Sequence, residues 1–141
     1  MAYEGPQPVK IVGAVAGADL SASTTQFKFV KFNGTGSQVI LCSATTDIPC
    51  GVLQAPAATS SVGEAVEVTA LGQTKLQSDG STITGAGQTI GTTASGQALA
   101  VVAGTDTTKY IVGLTVSTGT TPGAGVLIDA LVNCMSPARA A

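Results

Sequence analysis

The chain has 141 residues, of which 44% are hydrophobic and only 10% are charged, and its formal net charge is −2. A chain of this length is most simply one domain, which here would span residues 1–141 around a single core. Its six Lys and Arg residues are scattered and form no basic stripe that could follow a phosphate backbone, which argues against direct nucleic-acid binding.

Short runs rich in Val, Ile, Phe and Thr alternate with Gly-rich turns along the whole chain. This spacing is typical of an all-β protein, and no segment keeps an apolar 3.6-residue period over three turns. About nine strands joined by frequent turns predict an antiparallel sandwich or a barrel-like fold. The predicted strands are 9–16, 26–32, 38–42, 51–54, 65–71, 74–76, 98–102, 110–116 and 126–134.

Two dipeptides and both chain ends stand out from this pattern. Asn33-Gly34 and Asp79-Gly80 tolerate the positive φ of tight hairpin turns, so each is predicted to join neighbouring antiparallel strands. Residues 1–8 contain prolines and no strand pattern, and residues 136–141 are similar. We predict an extended N-terminal arm and a C-terminal tail.

The stretch "TTDIPCGVLQAPA", residues 45–57, places an aspartate and a cysteine three residues apart. We interpret it as a bend that leads into a short buried strand. Asp47 would cap the turn, Pro49 would fix its backbone, and Gly51 would allow close packing. Val52 and Leu53 would then enter the core.

The three cysteines, Cys42, Cys50 and Cys134, are an odd number, which favours reduced and buried thiols over an extracellular disulfide framework. A Cys42–Cys50 bridge is the alternative. The N-terminus has no secretory-signal pattern, and Asp129 interrupts the best apolar run well short of the roughly 18 residues of a membrane span. The sequence predicts a soluble protein made in the cytoplasm, with no membrane partner.

The chain contains no histidine, which removes the commonest general base and the Ser–His and Cys–His nucleophile pairs. Asp47, Asp79 and Asp106 fall in or beside turns, where a carboxylate accepts backbone hydrogen bonds. Neither a calcium loop nor paired CxxC spacing is present. We therefore predict no enzyme activity, no catalytic residue, no cofactor or metal and no small-molecule substrate. A carboxylate pair formed through space is the enzymatic alternative.

Segment 126–134 places Asp129 between Leu127 and Leu131 on one face, while Ile128 and its alternating neighbours form an apolar second face. A strand that is apolar on both faces lies at the centre of a sandwich or packs against a partner chain. Asp129 is therefore predicted either to contact another subunit or to pair internally with a cation or with backbone donors.

The segments "TTDIPCGVLQ", Thr45 to Gln54, and "GEAVEVTALGQTKL", Gly63 to Leu76, carry a resemblance to a known family. They are similar to the "TTDIPxGVLQ" and "GxAVEVxxxGxTKL" segments of tailed-phage capsid cement proteins, also called head decoration proteins. A weaker likeness in "IVGLTVSTGTTPGAGVLIDALVN" extends the similarity over about residues 9–132. Cys50 fills a variable position of this pattern, and Gln88 stands where the family leads us to expect an acidic residue.

The resemblance implies a structural protein of the virion, made in the bacterial cytoplasm, that binds the outer surface of an expanded capsid. There it would bridge major capsid protein subunits, and we expect it to associate with itself as a dimer or trimer. The predicted capsid or subunit contacts are Tyr3, Pro6 and Pro8 in the arm, and Asp129. The alternative is an exported or surface-displayed β-sandwich that mediates adhesion or binds glycans; that class usually has an export signal and exposed aromatic residues.

Overall fold

The computed structural model describes residues 8–118 and 122–141. These residues form short β-strands and one 3₁₀ turn, Ser23–Thr25, so the all-β prediction is confirmed. The strands are β1 Val9–Lys10, β2 Val15–Ala16, β3 Phe29–Phe32, β4 Gln38–Leu41, β5 Gly51–Leu53, β6 Val68–Gln77, β7 Thr89–Thr92, β8 Ala98–Ala100, β9 Tyr110–Ile111, β10 Gly113–Ser117, β11 Leu127–Asn133 and β12 Ala138–Arg139.

Ten of these strands form one sheet in the order β2-β4-β3-β5-β6-β11-β10-β7-β8, with β1 also paired to β6. Strands β9 and β12 form a separate two-stranded sheet. The pairs are antiparallel except for β2 and β4, which run parallel. The large sheet is open rather than closed into a barrel, so the barrel-like alternative does not form among the described residues.

The hydrophobic core consists of two clusters that share strands β3 and β5. Phe29 of β3 and Val52 of β5 belong to one cluster, and their neighbours Val30 and Leu53 belong to the other. Because successive residues of a strand point to opposite faces, β3 and β5 are buried on both sides. The first cluster is completed mainly by residues of β6, β7, β8 and β11 and the adjoining turns. The second is completed by residues of β2, β4, the start of β6 and the adjoining loops.

The bend predicted for residues 45–57 is confirmed in its main contacts. The Asp47 Oδ2 atom accepts hydrogen bonds from the Ser43 and Ala44 N–H groups, at 2.7 and 2.9 Å. The Lys31 Nζ atom lies 2.8 Å from the same oxygen. Strand β5 follows, and all three of its residues are buried.

Several predicted strand boundaries differ from those observed. Segment 9–16 is split by a turn at Gly13, whose φ is 74°. Segments 65–71 and 74–76 are joined in the single long strand β6, which begins only at Val68. Strand β7 was not predicted, because its sequence, TIGT, has a glycine in place of an apolar side chain. A Cβ atom on Gly91 would collide with the carbonyl oxygen of Tyr110, so this glycine is required by a tertiary contact rather than by a turn.

The two predicted hairpins have different outcomes. Asn33-Gly34 does join the antiparallel strands β3 and β4, through a loop of residues 33–37. The prediction for Asp79-Gly80 is wrong, since β6 and the next strand, β7, are not neighbours in the sheet. Asp79 instead accepts hydrogen bonds from the N–H groups of Ser81 and Thr82, forming a local turn that directs the chain away from β6.

The C-terminal segment differs from the tail expected from its sequence. Strand β12 pairs with β9, and the Ala140 N–H group donates to the carbonyl oxygen of Lys109 at 3.0 Å. Ala140 is buried. Small side chains gave no apolar pattern here, but they fit closely beside β9. Of the predicted N-terminal arm only Pro8 lies within the described residues.

Candidate functional site

A broad exposed surface covers one face of the sheet across β1, β6, β11 and β10. Its side chains are predominantly aliphatic, with one lysine and one aspartate near the centre and amides around them. We call this surface the leucine face. Its residues are Val9, Leu71, Gln73, Lys75, Leu114, Val116, Leu127, Asp129, Leu131 and Asn133.

Strand register places the large side chains of the leucine face next to one another. Leu114 of β10 lies directly opposite Leu131 of β11. The two residues are 43% and 48% exposed, respectively. The alternate residues of β11, including Ile128 and Val132, are buried in the first core cluster. The prediction that this strand is apolar on both faces is therefore confirmed, although the described residues cover only the inner one.

Asp129 lies on the leucine face and is paired within the chain. Its Oδ1 atom is 2.7 Å from the Nζ atom of Lys75, the residue opposite it on β6. The internal pairing predicted as one alternative thus exists, while a contact between Asp129 and another subunit stays a prediction. An exposed ion pair of this kind contributes only about 0–1 kcal/mol to stability.

The other predicted contact residues are placed as follows. Tyr3 and Pro6 lie outside the described residues. Pro8 is half-buried and lies beside Gly72 of β6, where it leads into β1; its contact with a capsid stays a prediction. Leu114 was not singled out from the sequence as a contact residue, because apolar alternation along β10 favours burial of Leu114 and exposure of Thr115. The structure has the reverse, with Thr115 buried and its hydroxyl donating to the carbonyl oxygen of Gly85 at 2.8 Å.

The aspartates that the sequence placed in turns are used there as hydrogen-bond acceptors. The Asp79 carboxylate accepts bonds from the N–H and hydroxyl groups of Ser81 and Thr82. Burial acts to raise the pKa of Asp79, but these hydrogen bonds outweigh it and hold the pKa below its usual range. The Thr82 hydroxyl in turn accepts the N–H of Ala100 at 2.8 Å, so this carboxylate connects a loop to β8.

We expect Asp79→Asn to lower the free energy of unfolding at pH 7 by about 1–2 kcal/mol, because hydrogen bonds to a charged acceptor are lost. The lowered pKa means that the carboxylate stabilises the fold fully above its unfolded pKa of about 3.9, and that this contribution is lost as the pH falls through the folded value. Urea titrations of both proteins at pH 7 and near pH 2.5 should therefore give a difference that shrinks in acid. Glu67→Gln, which affects only the exposed pair with Lys10, is the control and should change stability little at either pH. An Asp79→Asn difference that is equal at both pH values would contradict the assignment.

The three thiols are free, so the Cys42–Cys50 bridge predicted as an alternative is absent. Burial raises the pKa of Cys42 and of Cys50 to about 12, and it also raises the pKa of Cys134. A neutral, buried thiol is neither a nucleophile nor a good metal ligand. Cys42 and Cys134 fill space in the first core cluster, and Cys50 packs against the second.

We expect the native protein to react very slowly with a thiol-specific disulfide reagent at pH 8, since almost no thiolate is present and access is restricted. In guanidinium chloride all three cysteines should react rapidly. Absorbance of the released chromophore measures both rates. Rapid reaction of one thiol per chain in the native state would show that a thiol is accessible and activated. Loss of that reaction in Cys50→Ser would identify Cys50 as the reactive residue.

Gln88 occupies the position at which the family resemblance led us to expect an acid. Its Oε1 atom accepts hydrogen bonds from the N–H groups of Thr84 and Gly85, at 2.7 and 3.0 Å. A carboxylate oxygen would accept the same two bonds. Gln88 therefore provides the acceptor that the turn requires, without the negative charge of an acidic side chain.

The remaining surface offers little chemical functionality. A shallow depression of about 260 Å³ is lined by residues 87–89 and 100–103, none of which is ionisable. Within ranges 8–118 and 122–141, no three His, Cys, Asp or Glu side chains are grouped so as to hold a metal ion. The same ranges contain no helix long and apolar enough to cross a membrane.

No protein-family model matches the chain, and no curated protein matches it significantly. Among solved structures, the fold is similar to the crystal structure of the head fiber gp8.5 N base of bacteriophage phi29, with a TM-score of 0.60. The likeness covers 91% of this chain and 96% of that chain at 13% sequence identity. At this identity it concerns the fold alone.

Proposed function

We propose that this protein is a structural component of a phage virion that binds the outer surface of the expanded capsid and stabilises it by bridging major capsid protein subunits. The observation that carries the proposal is the shared fold with the N base of a phage head fiber, which extends over nearly the whole of both chains. The resemblance of residues 45–54 and 63–76 to capsid cement proteins supports the same role independently of the fold.

The charge distribution also supports a role in lying against other proteins. Four lysines are paired with carboxylates inside the described part of the chain, at 2.7–2.8 Å. A surface with few and largely paired charges costs little to desolvate over a large area. Such a surface suits attachment to a protein shell better than the capture of a charged ligand.

The N-terminal residues are proposed to contribute to attachment. Tyr3 and Pro6 precede Pro8, which lies against β6 at the start of the described chain. In this proposal Tyr3 is an aromatic anchor on the capsid. Deletion of residues 1–7 should weaken binding to purified expanded capsids without lowering the unfolding temperature of the protein; equal binding by the shortened chain would remove the arm from the proposal.

Quantitative mass spectrometry of purified virions tests the function directly. The molar ratio of this chain to the major capsid protein is measured before and after a salt wash. A fixed ratio near one, or a simple fraction of it, that survives the wash supports a stoichiometric cement protein. Absence of the chain from the particle, or a trace that washes away, contradicts the proposal and leaves the adhesion or glycan-binding alternative to be tested.

A further inference from the structure

The leucine face presents a continuous apolar surface. Five of its aliphatic residues are each 39–48% exposed, namely Val9, Leu114, Val116, Leu127 and Leu131. Strand register places them, with the Lys75–Asp129 pair and the flanking amides, on adjacent strands of one sheet face. Contiguous exposed apolar patches of this kind mark interaction sites.

The other exposed large apolar residues of the described chain lie outside the interiors of strands. Val12, Ile48, Val62, Val102, Val126 and Met135 lie in turns or loops, and Phe32 ends a strand. Single exposed apolar side chains are normal on a protein surface. A contact of the leucine face with itself needs no second apolar patch, whereas a ring of subunits in which this face meets a different surface does.

The charges on the leucine face are complementary to those of a second copy. The face carries one lysine and one aspartate, 2.7 Å apart, and its remaining side chains are neutral. When the same surface meets itself, each copy presents one positive and one negative group, so each Lys75 can approach the other copy's Asp129. A partner with a single sign of charge would be attracted to one of these groups and repelled by the other.

We propose that a second copy of this chain packs on the leucine face, with the paired leucines of β10 and β11 at the centre of the contact and the Lys75–Asp129 pair setting the relative orientation. The packed arrangement is sheet against sheet, which buries aliphatic side chains from both copies in one layer. The proposal concerns the purified protein and does not depend on the capsid-binding role, so either can fail without the other.

Light scattering coupled to size-exclusion chromatography tests this contact. We expect the wild type at about 100 μM to have a mass above the 13.8 kDa of one chain, since specific interfaces of standard size bind in the micromolar range or tighter. The variant Leu114→Asn/Leu131→Asn should raise the dissociation constant by at least tenfold. Val62→Asn should leave it unchanged: Val62 is 59% exposed, and the neighbouring Gly63 N–H group donates to Ala16 of β2, which is at the far end of the sheet from β10 and β11.

Charge variants identify the occupant as a second copy. Lys75→Asp makes the face doubly negative and Asp129→Lys makes it doubly positive, so each variant alone should associate at least tenfold more weakly than the wild type. Mixed in equal amounts, the two should associate again. Circular dichroism and thermal unfolding of each variant confirm that it is folded before its mass is measured.

Three results would overturn the proposal: a wild type that is monomeric at 100 μM, an oligomer whose dissociation constant is the same in the leucine and charge variants, or single charge variants that fail to associate when mixed. If the wild type is monomeric and the leucine variant loses binding to purified capsids, the face is occupied by the capsid protein instead. That outcome would reject the second copy while supporting the proposed function.

Discussion

Gly51→Ala is expected to lower the free energy of unfolding by about 3 kcal/mol, at the upper end of the usual cost of overpacking a core. A Cβ atom at this position would collide with Cγ1 of Val68 and would lie 2.6 Å from the carbonyl oxygen of Thr69. Both atoms belong to β6, which pairs with β5 here. The strands would have to separate, because backbone cannot move aside as the end of a flexible side chain can. Urea unfolding followed by circular dichroism measures the loss.

Gly85→Ala is the matched control for this substitution. Gly85 has no atom within 4 Å of an added Cβ, and its φ lies outside the left-handed region. The free energy of unfolding of Gly85→Ala should stay within about 1 kcal/mol of the wild-type value, since the lower entropy of the unfolded chain offsets small losses of native-state contacts. If both variants were equally stable, the close approach of β5 and β6 could not be the reason for a glycine at position 51.

Phe29→Ala is expected to cost about 3–5 kcal/mol, the usual range for removing a fully buried phenylalanine. Phe29 is among the largest fully buried side chains and lies in the first core cluster. Its main chain is also held by two hydrogen bonds: its N–H group donates to Gly96, in the turn between β7 and β8, and its carbonyl oxygen accepts from Cys42, just after β4. The cavity left by the ring therefore cannot collapse freely, which places the expected cost high in the range.

Phe32→Ala on the same strand separates burial from residue type. Phe32 is 48% exposed, so its truncation removes less buried apolar area and should cost less than about 1.5 kcal/mol. Thermal and urea unfolding of the two variants under the same conditions provide the comparison. A larger loss for Phe32→Ala than for Phe29→Ala would contradict the assignment of the core.

Local turn chemistry is the part of this fold that its sequence predicted best. Asp47 caps its bend and Asn33-Gly34 makes a hairpin, because both depend on contacts within about five residues. The Asp79-Gly80 hairpin was wrong since strand neighbours are chosen by long-range packing: β6 pairs with β11, which follows it by some fifty residues. Strand β7 was not predicted for the same reason. Its Gly91 is required by close approach to the carbonyl oxygen of Tyr110, not by contacts with residues near it in the sequence.

The candidate site was predicted in part. The apolar alternation on both faces of β11 led to Asp129, and that residue does lie among exposed leucines. The sequence could not show which face is covered, because burial of Ile128 and exposure of Leu131 follow from the side of the sheet on which the core assembles. Lys75 was likewise not identified as the partner of Asp129, since the two residues meet only through the register of β6 and β11.

The two core clusters share β3 and β5, and this arrangement couples their unfolding. Neither cluster can be exposed to water without removing one wall of the other, so the chain should unfold in one cooperative transition rather than in halves. The amide hydrogens of β3 and β5 should then exchange with solvent only through global unfolding, while those of the short strands β1 and β12 exchange through local fraying. Under mechanical load the protein should therefore keep its shape until it unfolds as a whole.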